Sequence, residues 1–100
     1  MAWIAAASIA TGCAGKRVEP DEHLAAVWRD YRRLPEHRAL AIAGDLRRNV
    51  WVAGSSGGHA TAADAERAAL AECAARRHDQ RAQAMCSLYA VGDEIVWERR

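Results

Sequence analysis

The sequence has almost no net charge, a single lysine and no apolar run long enough to cross a bilayer. Its 14 basic and 13 acidic residues leave a formal charge of +1, which gives no electrostatic basis for binding nucleic acid. The arginines are interleaved with acids, as on a solvated charged surface; a basic patch facing anionic lipid or an acidic partner is the alternative. With 100 residues, the chain forms one domain at most.

Large apolar side chains are also scarce. Hydrophobic residues make up 51% of the chain, which is typical of a globular protein, but many of them are alanine and none is phenylalanine. The core must therefore be built from a few Leu, Ile and Val residues with four Trp and two Tyr. A domain this small buries only about 60% of its unfolded surface, so a covalent cross-link would matter to its stability.

The N-terminus differs in composition from the rest. Residues 1–12 carry no charged side chain, and their apolar run has the length of a signal-peptide core. Small residues then precede Cys13, an arrangement that resembles the bacterial lipobox, in which the cysteine is lipidated and becomes the new N-terminus. We predict a signal-peptide-like leader over 1–12, a linker over 13–19 and a domain over 20–100, with Cys13 as a lipid anchor to the membrane. A buried N-terminal helix with a core cysteine is the alternative.

The other two cysteines support export. Cys73 and Cys86 form an even pair, which in a small exported domain is most simply a disulfide. Their C-x12-C spacing matches neither the C-x-x-C of thioredoxin-type proteins nor the close ligand pairs of zinc sites. Two reduced thiols in the core of a cytosolic protein are the alternative.

Hydrophobic periodicity predicts an α+β fold with the order α–ββ–α–ββ. The predicted elements are a helix over 20–34, strands over 38–43 and 50–53, a helix over 62–77, and strands over 86–91 and 94–97. The two hairpins form a four-stranded antiparallel sheet (ββαββ) with one helix packed on it and an extra N-terminal helix.

Alternation within the strands predicts which side chains share a face. Cys86, Leu88 and Ala90 should point to one side, which the 62–77 helix must cover if Cys73 bonds Cys86. The aromatic candidates are Trp28, Tyr31, Trp51, Tyr89 and Trp97, and some of them must then lie on the opposite face. If the 20–34 helix covers that face, they are core; if it does not, they form an exposed strip that marks a partner surface.

Several segments together match one group of proteins. The matching residues are Tyr31, the run over 34–41, Trp51 before a Gly/Ser stretch, Ala62, Ala65 and Ala69-Leu70 leading to Cys73, and the run over 86–91. In these features the chain resembles a class of small exported bacterial domains of unknown function. The resemblance implies a hairpin–helix–hairpin fold, export and a disulfide, but no activity.

The Gly/Ser segment over 54–59 is a candidate ligand loop. It precedes a helix N-terminus, where backbone N–H groups and the helix dipole favour an anion, so Gly57, Gly58 and His59 are possible binding residues. No Gly-Lys-Ser/Thr follows, so the segment is not a P-loop. The alternative, which we favour, is a flexible connection between strand and helix.

The sequence offers no recognisable catalytic or metal site. The only set that resembles a hydrolase triad, Ser55 or Ser56 with His59 and Asp64, lies in one loop without a nucleophile elbow. The four histidines are scattered singly, which does not favour a metal site. A pyridoxal-phosphate enzyme needs a lysine that forms a Schiff base, and the only lysine, Lys16, lies in the linker.

We therefore predict a non-enzymatic module of the bacterial cell envelope, periplasmic or lipid-anchored, without a cofactor. Its expected partner is a protein or another envelope component. Binding of a small anion or small ligand at residues 54–59 is the alternative function.

Overall fold

A computed structural model describes residues 20–79 and 84–97, so the predicted leader, the linker and Cys13 lie outside the described residues. Two helices and four strands follow one another in the chain. They are α1 (Pro20–Arg32), β1 (Ala39–Asp45), β2 (Val50–Ser56), α2 (Ala62–Asp79), β3 (Ser87–Val91) and β4 (Glu94–Ile95). The predicted α+β class is confirmed: two helices accompany one four-stranded antiparallel sheet.

The strand order is β2-β1-β3-β4, so β1 lies inside the sheet and β2 forms one edge. Residues 39–43 of β1 are all buried, because helices cover both faces of this strand. The alternation predicted for β1 is confirmed. Ala39, Ala41 and Ala43 belong to one core cluster, and Leu40 belongs to the other.

Small residues allow α2 to lie close to the first face. Ala65, Ala69 and Cys73 of α2 pack on the alanines of β1 and on Val52. A Cβ at Gly54 of β2 would lie only 2.2 Å from the backbone nitrogen of Cys73, so α2 runs directly over this glycine. Cys73 also bonds Cys86 with a Cα–Cα distance of 6.2 Å, which confirms the predicted disulfide.

Helix α1 covers the opposite face with long side chains. Tyr31 is buried among Leu40 and Ala90, and Val27 and Trp28 pack against the same cluster. Of the two possibilities left open by the sequence, the structure shows the one in which the N-terminal helix covers the aromatic face, but the cover is incomplete: Tyr31 is buried, whereas Trp28 is only half-buried.

The predicted alternation is wrong in β3. Leu40 pairs with Ala90, but its neighbour Ala41 pairs with Leu88, so Tyr89 is an extra residue in the ladder. This β-bulge interrupts the period of two. As a result Leu88 packs on the α2 side as predicted, whereas Ala90 lies with Leu40 on the α1 side.

Candidate functional site

A row of aromatic side chains runs across the α1 face of the sheet. We call Trp28, Tyr89 and Trp97 the aromatic row. The ring centroids of Trp28 and Tyr89 are 6.2 Å apart in an edge-to-face contact, and those of Tyr89 and Trp97 are 5.8 Å apart. All three residues are half-buried, so part of each remains accessible to solvent.

The row is positioned by elements that are distant in the chain. Trp28 lies on the apolar stripe of α1, one turn before Tyr31, and their ring centroids are 5.4 Å apart. Tyr89 is the residue of the β3 bulge and packs against the same cluster as Trp28. Trp97 follows β4, whose Ile95 is 48% exposed. The row therefore extends from the first helix to the short outer strand.

Tyr31 fixes α1 to the sheet. Its side chain is only 2% exposed, and its hydroxyl donates to the backbone oxygens of Gly92, at 2.8 Å, and Arg38, at 3.1 Å. Burial raises the pKa of Tyr31 to about 12, although the Arg38 guanidinium, 5.5 Å from the ring centroid, acts in the opposite direction. Tyr31 thus joins the helix to the start of β1 and to the β3–β4 turn.

Arg38 and Asp93 complete this anchor. The Arg38 guanidinium donates to the Leu34 carbonyl at 3.1 Å and to the Asp93 carboxylate. Arg32 of α1 lies 3.7 Å from the same carboxylate. These contacts tie three segments of the chain together beneath the aromatic row, and we assign them a structural role.

The buried hydroxyl of Tyr31 makes the protein sensitive to alkaline pH. The pKa of Tyr31 is about 12 in the folded state and 10.0 in the unfolded chain, so the folded state retains a proton that the unfolded chain loses. The resulting stabilisation is complete below pH 10 and is lost as the pH rises from 10 to 12, a loss of about 2–3 kcal/mol in the free energy of unfolding. Urea unfolding across this range should show the loss in the wild type and a smaller one in Tyr31→Phe. Parallel pH profiles in the two proteins would contradict it.

A cavity of about 310 Å³, which was not predicted from the sequence, opens beside β2. Its lining comes from both helices, the α1–β1 connection and two strands: Val27, Asp30, Tyr31, Leu34, Leu40, Ala53, Ser55, Glu72 and Arg76. Because α1 and α2 lie on opposite faces of the sheet, residues of both can line one cavity only where the sheet ends. The cavity therefore opens at the edge formed by β2.

The predicted ligand loop is shorter and more constrained than the sequence suggested. Gly54 and Ser56 belong to β2, so the prediction of a flexible connection from residue 54 onward is wrong for the first three residues. The N–H of Gly58 donates to the Glu36 carbonyl at 3.1 Å, and a Cβ at Gly57 would lie 2.8 Å from Leu34 Cβ. The segment thus packs against the α1–β1 connection, and none of the residues 57–59 lines the cavity.

The residues of the hydrolase-like set are only partly brought together. His59 Nε2 and Ser56 Oγ are 2.5 Å apart, but Asp64 pairs with Arg67 on the first turn of α2. Thr61 caps this helix, its hydroxyl accepting the Asp64 N–H at 3.1 Å. In the part of the chain that the structure describes, no carboxylate is seen to orient His59, and the arrangement is that of a helix start.

The histidines have separate surroundings. His23 stacks on Trp51 with ring centroids 4.4 Å apart, and its Nδ1 lies 2.8 Å from the side-chain oxygen of Asn49. Within residues 20–79 and 84–97, no group of three or more potential ligands is placed to hold a metal ion. Over the same residues, neither helix is both long and apolar enough to span a bilayer.

Comparison with known proteins does not extend these observations. No protein-family model matches the chain, and no curated protein or solved structure is significantly similar to it.

Proposed function

We propose that this chain is a non-enzymatic module of the bacterial cell envelope that binds a partner protein through the aromatic row. The observation that carries the proposal is the half-buried line of Trp28, Tyr89 and Trp97. The exposed Ile95 pairs with Ala90, which belongs to the core cluster against which Trp28 and Tyr89 pack. Large aromatic side chains held in place by a scaffold are the residues that most often dominate the energy of protein interfaces.

The fold favours such a role because it holds the row rigidly. The row rests on Tyr31, whose hydroxyl bonds and neighbouring ion pairs fix α1 to the sheet. A partner would therefore bind aromatic rings that have already lost most of their conformational freedom, which lowers the entropic cost of association.

The proposed location rests on two features. The Cys73–Cys86 disulfide is typical of proteins that fold outside the reducing cytoplasm. The leader-like residues 1–12 and the following Cys13 then account for export and for a lipid anchor. In this proposal the protein is either periplasmic or held at the membrane surface through Cys13.

The alternative, binding of an anion or small ligand at residues 54–59, has weaker support. The Gly58 amide, which an anion would need, already donates to the Glu36 carbonyl. Gly57 has no free space beside it, because Leu34 and Pro35 lie against its Cα.

Crosslinking at Ile95 tests the proposal. The chain is expressed with its own leader in a diderm bacterium, with a photo-crosslinking amino acid at position 95 or, as the control, at position 85. Met85 is a matched control because it is also a large exposed apolar residue, 74% exposed, but precedes β3 instead of bordering the row. We expect one envelope protein to be captured from position 95 alone.

Binding to the captured protein, once purified, provides the quantitative measurement. Ile95→Arg should weaken binding about tenfold or more, because it introduces a charge into an apolar contact, whereas Met85→Arg should leave binding unchanged. Equal capture from both positions, or a dissociation constant unaffected by Ile95→Arg, would refute the assignment of the row as the binding surface.

A further inference from the structure

The two edges of the sheet differ in a way that bears on association. Natural proteins protect sheet edges with very short strands, charges, prolines or bulges. The β4 edge follows this rule, with only two residues, one of which is Glu94. The β2 edge does not: it has seven residues, none of them charged or proline, and it pairs with β1 in continuous register.

The outer side of β2 pairs with no strand among the described residues, and Val50 at its start is 66% exposed. The cavity between the two helices opens along the same edge, beside Ala53 and Ser55. A regular, uncharged edge of this length is a template for adding a strand.

We propose that the β2 edge binds the β2 edge of a second copy of this chain, so that two domains share one antiparallel sheet of eight strands. The order of residues in β2 favours a second copy as the occupant. In a two-fold arrangement centred on Ala53, the large residues of one copy lie opposite small residues of the other: Val50 opposite Ser56, Trp51 opposite Ser55, and Val52 opposite Gly54. Directly opposed residues of antiparallel strands share a face, so each large side chain has room beside the small residue that it faces.

Charge complementarity favours the same arrangement. The β1–β2 turn, at one end of β2, carries Arg47 and Arg48, whereas Asp30 lines the cavity at the other end; Glu72 also lines the cavity but is paired with Arg76. Antiparallel pairing of two copies brings the basic end of each strand towards the acidic end of the other. A two-fold axis repeats this contact on both sides of the interface.

The oligomeric state in solution tests the proposal. The full chain is used with Cys13→Ser, so that neither a thiol nor an acyl chain at this position contributes to association. Light scattering coupled to size exclusion should give twice the mass of the 10.9 kDa chain at about 100 µM, a concentration at which a small interface of this kind is populated.

Edge variants locate the interface. Val50→Lys and Ser55→Lys should each weaken dimerisation about tenfold or more, because a lysine on an edge strand opposes pairing. Both positions are exposed, and Val50 pairs with Asp45 across the β1–β2 ladder, so a lysine there is compatible with the folded monomer. Ile95→Lys, on the other edge strand, should leave the dimer intact.

A cysteine at the proposed axis gives an independent measurement. Ala53→Cys should form a disulfide-linked dimer on oxidation, because directly opposed residues of antiparallel strands have Cα atoms about 4.5–5.5 Å apart, within the range that a disulfide spans. Ile95→Cys should not. A monomer at about 100 µM, a dimer that persists in both lysine variants, or linkage through position 95 alone would overturn the proposal. A monomer that accepts an unrelated peptide strand at this edge would overturn it as well.

Discussion

Replacing Gly54 by alanine should lower the free energy of unfolding by about 3 kcal/mol, at the upper end of what an added methyl group costs in a tightly packed core. The new Cβ would lie 2.2 Å from the Cys73 nitrogen and 2.7 Å from the Cys73 Cα. These are backbone atoms of α2, so no change of rotamer can relieve the overlap. The helix itself must move away from the sheet.

The disulfide makes that movement more costly. The residue that meets the new methyl group is Cys73, and its side chain is bonded to Cys86 at the start of β3. The disulfide therefore holds α2 at the residue that would have to move away from the sheet. A loss of about 3 kcal/mol corresponds to a fall in Tm of more than about 10 °C in a domain of this size.

Gly92→Ala provides the control for this substitution. Gly92 also changes from glycine to alanine, but nothing lies within 4 Å of the position its Cβ would occupy. Its φ of +61° makes alanine unfavourable there by about 1 kcal/mol. Thermal and urea unfolding of the two variants should therefore differ clearly. Equal losses would mean that α2 does not approach the sheet as closely as described.

The sequence contained a signal for this contact, but a misleading one. Gly54, Ser55 and Ser56 have the composition of a loop, and we predicted a loop. They belong to β2, because a glycine inside a strand also permits the close approach of another element. That element is α2, and its position over Gly54 depends on tertiary packing, which cannot be predicted from local composition.

The bulge at Tyr89 could not be predicted from the sequence for a related reason. Alternation over 86–91 is regular in the sequence and predicted that Leu88 and Ala90 share a face. The extra residue in β3 separates them, and it appears only in the pairing of β3 with β1. The displacement moves Ala90 to the α1 side, whereas Tyr89 lies on that side as the alternation predicted and contacts Trp28.

Features that depend on strand order could not be predicted from the sequence either. The pairing of Arg38 with Asp93 joins residues 55 positions apart, and the cavity at the β2 edge exists only because β2 is the outer strand. By contrast, the two helices, the strands of the two hairpins and the disulfide pair were predicted from local periodicity and cysteine number, although β4 ends at Ile95 and not at residue 97, and α1 ends at Arg32 and not at residue 34. Local sequence patterns therefore predicted the helices and strands, but not the order of the strands or the packing between elements.

Reduction of the Cys73–Cys86 bond should lower the free energy of unfolding by about 3 kcal/mol. The bond joins α2 to the start of β3 across 13 positions of sequence. On the chain-entropy model, closing a loop of this length restricts the unfolded chain by about that amount. Such a loss is a large part of the 5–15 kcal/mol that typically stabilises a small domain, here one with a core built mainly of alanine.

Thermal unfolding with and without a reductant measures this contribution. The double variant Cys73→Ala/Cys86→Ala should unfold near the temperature of the reduced wild type and should not respond to the reductant, since it has no bond to lose. The bond is also expected to be structural: Cys73 is fully buried, and neither cysteine belongs to a C-x-x-C pair that would make the bond labile. The protein should therefore not accelerate the reduction of insulin by dithiothreitol. A melting temperature unaffected by reduction would contradict the stabilising role, and catalysed insulin reduction would contradict the proposal that the module is non-enzymatic.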